Sequence, residues 1–186
     1  MTWRKKIPNY LTYFRIAVIP ALVLVFMLKE YLGGWAYYTA AGLFVVASIT
    51  DWLDGYVARI WEAHSNIGRF LDPIADKLLV ATALMMLVAY DRADMLPAIA
   101  IVCREILVSG LREFLAEIRV GMPVSKLAKF KTAAQMTAIP FLLLGEGGPQ
   151  WLHAQTLGDI LLWIAAFLTL ITGYAYVKTG LKHMEN

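Results

Sequence analysis

The sequence has little charge and almost no cysteine. Its single cysteine, Cys103, excludes an intramolecular disulfide scaffold and a CxxC metal site. Charged residues make up 17% of the 186 residues and hydrophobic residues 60%, whereas soluble proteins are about 25% charged and about 45–50% apolar. This composition argues against a soluble globular protein and against a disordered one. The net charge of +3 gives little support to a nucleic-acid-binding surface, so no nucleic acid partner is expected.

The chain also has few uninterrupted apolar runs of membrane-spanning length. A spanning helix needs about 20 apolar residues, and only the charge-free run Ile160–Val177 comes near that length. The other runs reach it when each helix includes charged residues at its ends. We therefore predict a single domain over residues 1–186, an all-α integral membrane protein built as a six-transmembrane-helix bundle, with a short N-terminal interfacial segment ending at Pro8. The predicted spans are 10–28, 35–59, 71–90, 95–115, 130–146 and 157–178; the last, with Gly173, is expected to face lipid or a second subunit.

Lysine and arginine in the predicted connections are unevenly distributed between the two sides of the membrane. An excess of these residues marks the cytoplasmic side, so both termini are predicted to be cytoplasmic. The richer side carries Arg4, Lys5, Lys6, Arg59, Arg69, Arg119, Lys126, Lys129 and Lys182, and the other side carries only Lys29 and Arg92.

The remaining charges lie within the predicted helices or at their ends. A charge at the centre of a membrane helix costs about 2.5–3.5 kcal/mol on insertion scales, but in this topology all of these charges fall near the cytoplasmic half. We therefore predict a polar, water-filled cavity that faces the cytoplasm. The residues concerned are Asp51, Asp54, Arg59, Asp72, Asp76, Lys77, Arg104, Glu105, Arg112 and Lys131.

Four aspartates are spaced so that they converge. Asp51 and Asp54 share one face of the second predicted helix, and Asp72 and Asp76 share one face of the third. The short connection makes these helices antiparallel neighbours. Carboxylate oxygens without nearby cysteine or histidine suit Mg²⁺ or Mn²⁺, and two such ions could hold a diphosphate while a phosphoryl group leaves.

Two simpler interpretations of this segment stay open. Gly55 and Ala58 could let a ligand approach the backbone or could only permit close helix packing. Arg59 could bind a phosphate bidentately or could form a helix-end ion pair with Asp51 and Asp54.

The spacing as a whole resembles a family signature. The string D-x2-D-G-x2-A-R-x8-G-x3-D-x3-D is similar to that of the CDP-alcohol phosphatidyltransferase family. The resemblance implies six helices, a homodimer among membrane lipids of a bacterial cytoplasmic membrane, and a site for two ions, Mg²⁺ or Mn²⁺, that faces the cytoplasm. It also implies a CDP-linked lipid donor, an alcohol acceptor and release of CMP. All eight fixed positions are present, namely Asp51, Asp54, Gly55, Ala58, Arg59, Gly68, Asp72 and Asp76.

The resemblance implies roles for individual residues. Asp76 is the expected base for the acceptor hydroxyl, and Asn9 and Thr12 are expected near the nucleotide, although both could instead cap the first helix. The implied metal ligands are Asp51, Asp54, Asp72 and Asp76. The implied CDP-lipid-binding residues are Asn9, Thr12, Asp51, Gly55, Ala58, Arg59 and Gly68.

Three further segments, Pro8–Arg15, Arg104–Phe114 and Lys126–Gln135, resemble the branch of the family that uses sn-glycerol 3-phosphate with CDP-diacylglycerol. Arg104 and Arg112 share one helical face, and a basic cluster beside carboxylates suits an anionic acceptor. The expected acceptor-binding residues are Arg104, Arg112, Lys129 and Lys131.

Alternative interpretations stay open here too. The cations could only set topology or contact anionic lipid, and Arg104 could form an ion pair with Glu105. The acceptor could instead be that of a cardiolipin or phosphatidylinositol-phosphate synthase. A divalent-cation transporter is a distant alternative, because intramembrane carboxylates also mark ion paths.

Overall fold

The computed structural model describes the backbone of residues 7–61, 66–118, 120–121 and 125–184, and the side chains of these residues except 7–9, 52, 54–61, 66–70 and 182–184. Within these ranges the chain is helical and contains no strand, which confirms the all-α prediction. The helices are α1 (Ile7–Met27), the short α2 (Lys29–Leu32), α3 (Trp35–Trp61), α4 (Asn66–Ala89), α5 (Met95–Glu117), α6 (Lys126–Leu144) and α7 (Ala154–Met184). Two 3₁₀ turns, Gly145–Gly147 and Gln150–Leu152, connect α6 to α7.

Each of the six long helices overlaps one predicted helix, but several begin earlier than predicted. Because α1 begins at Ile7, Asn9 and Thr12 lie inside it, and the expectation that they cap the helix is wrong. Because α4 begins at Asn66, Gly68 lies in the helix and not in the connection before it. The physical reason is that polar residues at the end of an apolar segment do not themselves stop a helix. Of the predicted interfacial segment 1–8, residues 7 and 8 belong to α1, and residues 1–6 lie outside the described part of the chain.

Two stretches among the described residues are long and apolar enough to cross a membrane. They are Tyr10–Met27 and Gln150–Leu181. The other long helices carry charged residues within the bundle, so their crossing of the membrane remains a prediction.

Consecutive helices run in opposite directions, so the beginnings of α1, α4 and α6 lie together with the ends of α3, α5 and α7. Within this arrangement α1 packs against α3 and α4, and α7 packs against α5 and α6. The aliphatic core between the two ends includes the fully buried Leu22, Phe44, Leu79, Leu87, Ile101 and Leu142. Most of the buried charged and polar side chains lie at the first of these ends, which we call the polar end.

One face of α7 is buried inside the bundle, whereas the face that carries Phe167, Leu170 and Tyr174 is exposed, so contact of this exposed face with lipid or a second subunit remains a prediction. Thr169, Thr172 and Tyr176 lie on the buried face. Close approach needs small residues there, since a Cβ at Gly173 would lie 3.0 Å from Arg104 Cγ and one at Gly180 would lie 2.7 Å from Leu111 Cδ1. The end of α7 therefore belongs to the polar end of the bundle.

Candidate active site

Three aspartates lie at the polar end, and two of them contact α1. Asp51 comes from α3, and Asp72 and Asp76 lie one turn apart near the beginning of α4. Arg15 of α1 is fully buried, and its Nη1 lies 2.6 Å from Asp51 Oδ1. One turn earlier on α1, the Thr12 hydroxyl donates a hydrogen bond to Asp72. The first helix thus fixes one carboxylate on each of its neighbours.

The charges around Asp76 are mixed. The carboxylates of Asp51 and Asp76 repel each other, whereas Arg15, Lys131 and Lys77 attract Asp76. Lys77 also donates a hydrogen bond to the Ser109 hydroxyl, which joins α4 to α5.

The side chains of Asp51, Asp72 and Asp76 have the donor chemistry of a site for a hard cation, because they offer only oxygen atoms as ligands. Within the part of the chain that the structure describes, no three carboxylate, imidazole or thiol side chains lie close enough together to hold a metal ion. Asp54, the fourth predicted ligand, has no described side chain. The two-metal site therefore remains a prediction.

Several other predicted positions lie outside the described side chains. The backbone places them within α1, α3 and α4, at the same end of the bundle as Asp72. The role predicted for each remains a prediction. These residues are Asn9, Asp54, Gly55, Ala58, Arg59 and Gly68.

A cavity of about 410 Å³ opens between α4 and α5 beside these carboxylates. Five of the charged residues predicted for the polar cavity line it, namely Asp76, Lys77, Arg104, Glu105 and Arg112, whereas Asp51, Asp72 and Lys131 do not. The side of the membrane that the cavity faces remains a prediction. Its polar lining consists of Asp76 and Lys77 from α4 and Arg104, Glu105, Ser109, Arg112 and Glu113 from α5.

The basic part of the cavity contains hydrogen-bond donors that have no partner among the described residues. Arg104 Nη1 lies 3.3 Å from Glu105 Oε1, which confirms the predicted ion pair, and Lys131 donates to the same oxygen. No described carboxylate pairs with Arg112. The Nε atoms of Arg104 and Arg112 are buried and have no hydrogen-bond partner within the described residues. Because buried polar groups are nearly always paired, these two N–H groups indicate a place for an anionic ligand.

The structure separates the two predicted lysines of α6. Lys131 is 2% exposed and contacts the cavity through Glu105, whereas Lys129 is exposed and does not line the cavity.

The helix α6 begins at Lys126 because the Ser125 hydroxyl accepts a hydrogen bond from the Ala128 N–H at 3.2 Å. Cations in the first turns oppose the helix dipole, so helix stability does not explain three lysines at this position.

Sequence reasoning missed Arg15, Thr172 and Tyr176. A signal existed for Arg15, since it is a charge inside a predicted span and buried charges need partners. The signal on α7 was weaker: Thr169, Thr172 and Tyr176 recur at spacings that share one helical face, but nothing in the sequence identifies the helix that this face contacts.

Comparison with known proteins links this geometry to one family. The sequence profile of the CDP-alcohol phosphatidyltransferase family matches residues 5–171. A protein of Rickettsia felis is 50% identical over 179 residues, covering 96% of this chain and 97% of the relative. A Shigella flexneri protein is 41% identical over 178 residues, covering 94% of each chain, and one from Cereibacter sphaeroides is 37% identical over 223 residues, covering 100% of this chain and 99% of the relative. All three are named CDP-diacylglycerol–glycerol-3-phosphate 3-phosphatidyltransferase.

Proposed function

The chain belongs to the CDP-alcohol phosphatidyltransferase family, and on this premise we propose that it transfers the phosphatidyl group of CDP-diacylglycerol to sn-glycerol 3-phosphate. The products are phosphatidylglycerophosphate and CMP, so the enzyme acts in phospholipid biosynthesis. Relatives named for this reaction align along nearly the whole chain. The observation that carries the proposal is the cavity in which Asp76 lies with Arg104 and Arg112.

The arginines of this cavity favour an acceptor that carries a phosphate. Two guanidinium groups whose buried Nε–H groups have no partner among the described residues are suited to a phosphate, because the planar fork of arginine binds phosphate oxygens bidentately. A cationic acceptor would be repelled by these guanidinium groups, and a neutral acceptor could accept their hydrogen bonds but would supply no negative charge to pair with them. Arg104, Arg112 and Lys131 are the proposed acceptor ligands, and Lys129 attracts the anion from its exposed position.

Asp76 is the proposed general base. It lines the same cavity as the arginines. An acceptor whose phosphate binds the arginines therefore has its hydroxyl in the cavity that Asp76 lines. The hydroxyl oxygen attacks the β-phosphorus of the donor, the bond from that phosphorus to the bridging oxygen of the diphosphate breaks, and CMP leaves. The hydroxyl proton passes to the Asp76 carboxylate.

We propose Mg²⁺ or Mn²⁺, two ions, as the cofactor. Asp51, Asp54, Asp72 and Asp76 would hold them, because four carboxylates form the all-oxygen donor set that hard divalent cations prefer. When bound, the ions supply positive charge that offsets the charge of the diphosphate. The family resemblance further assigns the CDP-lipid to Asn9, Thr12, Asp51, Gly55, Ala58, Arg59 and Gly68.

We propose that six helices cross the bacterial cytoplasmic membrane, with both termini and the polar end in the cytoplasm, and that the enzyme is a homodimer. The distribution of lysine and arginine supports this orientation.

The alternative of a divalent-cation transporter is tested by the interior of α4. The buried residues of α4 that follow Asp76 are apolar and include Leu79, Ala83 and Leu84. A transporter would need polar residues along that path, so a divalent-cation transporter is disfavoured.

The activity is tested with purified protein, CDP-diacylglycerol and labelled glycerol 3-phosphate in the presence of Mg²⁺ or Mn²⁺. We expect CMP release coupled to labelled lipid, loss of both when the metal is chelated, and recovery when it is restored. If no alcohol acceptor yields CMP, the enzyme assignment is wrong. If inositol phosphate supports release and glycerol 3-phosphate does not, only the acceptor assignment is wrong.

Substitution of Asp76 tests the base. Asp76→Asn is expected to lower turnover by a factor of about 10²–10⁴, which is the usual contribution of general acid–base catalysis, and to leave the thermal unfolding midpoint unchanged. Asp91→Asn is the matched control, because Asp91 is exposed at the opposite end with φ of 54° and asparagine tolerates that conformation equally well. A near-normal rate for Asp76→Asn would show that another group accepts the proton.

A further inference from the structure

Tyr176 of α7 lies between the two cavity arginines and is 6% exposed. The Cζ of Arg104 lies 5.6 Å from the centroid of the Tyr176 ring, and the Cζ of Arg112 lies 5.1 Å from it. Both distances are within the range of cation–π attraction. The two guanidinium groups repel each other, and the shared ring offsets part of that repulsion.

The hydroxyl of Tyr176 joins α5 to the beginning of α6. It accepts a hydrogen bond from Arg112 Nη2 at 3.2 Å and one from the Ser125 backbone N–H at 3.3 Å. A phenolic oxygen accepts about two hydrogen bonds, and Arg112 and Ser125 donate two to the Tyr176 oxygen. Ser125 is the N-cap residue of α6, the helix that supplies Lys131.

The same face of α7 also fixes Arg104. Arg104 Nη2 donates to the Thr172 hydroxyl at 3.2 Å, and the absence of a side chain at Gly173 leaves room for the Arg104 stem. Tyr176 and Thr172 do not line the cavity, so they reach a ligand there only through the arginines.

We propose that Tyr176 is a positioning residue for the acceptor phosphate: with Thr172, it holds Arg104 and Arg112 in the arrangement that binds the phosphate group. This role rests on the proposed function. It also explains why a tyrosine is buried on the face of α7 that contacts Arg104 and Arg112. An arginine side chain is long and rotamer-rich, and two neighbouring guanidiniums separate unless other groups hold them together.

The test is the kinetics of Tyr176→Phe, which keeps the ring and removes the hydroxyl. We expect the KM for glycerol 3-phosphate to rise about tenfold, which is the effect of losing roughly one charge-assisted hydrogen bond. The KM for CDP-diacylglycerol and the kcat at saturation should each stay within about twofold of the wild type. Tyr174→Phe is the matched control, because Tyr174 lies two residues earlier on α7 and is 71% exposed.

A double-mutant cycle separates positioning from a general effect on packing. In an Arg112→Ala background, Tyr176→Phe should raise the KM for glycerol 3-phosphate by less than about twofold, since the hydroxyl has already lost that partner. Equal effects in both backgrounds would overturn the proposal, as would an unchanged KM for Tyr176→Phe in an active enzyme. If Tyr176→Phe does not fold, Thr172→Val tests the other contact that the proposal invokes, the hydrogen bond from Arg104 to Thr172, and an unchanged KM again overturns the proposal. A wild type that releases no CMP with glycerol 3-phosphate refutes the proposed function, and this inference with it.

Discussion

At the scale of single residues, the pairing of Arg15 with Asp51 is uneven. Arg15 is fully buried, whereas the side chain of Asp51 is 41% exposed. Burying a charge is costly unless it is paired and hydrogen-bonded, so the arginine depends on the aspartate more than the aspartate depends on it. Asp51 therefore has a structural role in addition to its proposed role as a metal ligand.

Arg15→Met tests the structural part of this pairing. We expect a loss of about 1–3 kcal/mol in the free energy of unfolding, the range for hydrogen bonds to charged groups, and not more, because Asp51 remains partly hydrated. The measurement is thermal unfolding of the purified protein in detergent. Lys178→Met, at an exposed position on α7, is the control and should change stability little. Equal stability of the two variants would contradict the role given to Arg15.

The carboxylates could be predicted from sequence, while the residues that hold them could not. Asp72 and Asp76 lie on one helix at a spacing of four, and helical periodicity alone places them on one face. Arg15 and Thr12 of α1 contact Asp51 and Asp72, and Thr172 and Tyr176 of α7 contact Arg104 and Arg112. Periodicity does not specify which helices pack together, so the contacts of Arg15 and Tyr176 required the tertiary arrangement.

At the scale of helices, the end of the bundle opposite the polar end is held by Arg92. This residue lies in the connection between α4 and α5, where its Nη1 donates to the Leu143 carbonyl at 3.0 Å and its guanidinium lies 4.1 Å from the centroid of the Tyr37 ring. Its own carbonyl accepts a hydrogen bond from Gln155 at 2.9 Å. Burial lowers the pKa of the Arg92 guanidinium, and Tyr37 and Glu146 act in the opposite direction. The side chain of Arg92 thus connects α3 and α6 with the turn that carries it, and its backbone carbonyl connects α7.

Arg92→Met should weaken the fold without altering the chemistry. Loss of the charge-assisted hydrogen bond and of the ring contact is expected to lower the free energy of unfolding by about 1–3 kcal/mol. Because the polar end is at the other end of every helix, the KM values for both substrates should remain unchanged in the protein that stays folded. Thermal unfolding and steady-state kinetics on the same preparation check the two expectations. A raised KM for glycerol 3-phosphate would mean that the two ends are coupled.

The helices themselves could be predicted more closely than their ends. Charge-free apolar runs located all six long helices, but α4 begins before its predicted start and α7 ends after its predicted end. Hydropathy predicts the part of a helix that spans the membrane. The ends of the helix are set instead by its backbone hydrogen bonds and by capping residues. The start of α6 illustrates this, because the Ser125 cap places Lys126 in the first turn although lysine is unfavourable there.

At the scale of the whole molecule, polarity is concentrated at one end of an otherwise apolar bundle. The polar end holds the carboxylates and the basic cavity, and the core between the ends is aliphatic and aromatic. A lipid-linked nucleotide and a water-soluble phosphate acceptor can meet only where the bundle is polar and reachable from water. The proposed reaction therefore requires the polar end to face the compartment that supplies glycerol 3-phosphate and receives CMP.

Single-cysteine labelling tests this orientation. Cys103 is exposed, so the variants are built on Cys103→Ser, with Lys178→Cys at the polar end and Glu30→Cys at the opposite end. Both positions are exposed. In intact cells or spheroplasts, a membrane-impermeant maleimide should label Glu30→Cys and not Lys178→Cys, because the concentration of lysine and arginine at the polar end predicts that this end is cytoplasmic. After permeabilisation both should react, which controls for the accessibility of position 178. Labelling of Lys178→Cys alone in intact cells would mean that the topology is the reverse of the proposed one and that the cavity faces away from the cytoplasm. Labelling of both variants would mean that the chain does not span the membrane as proposed.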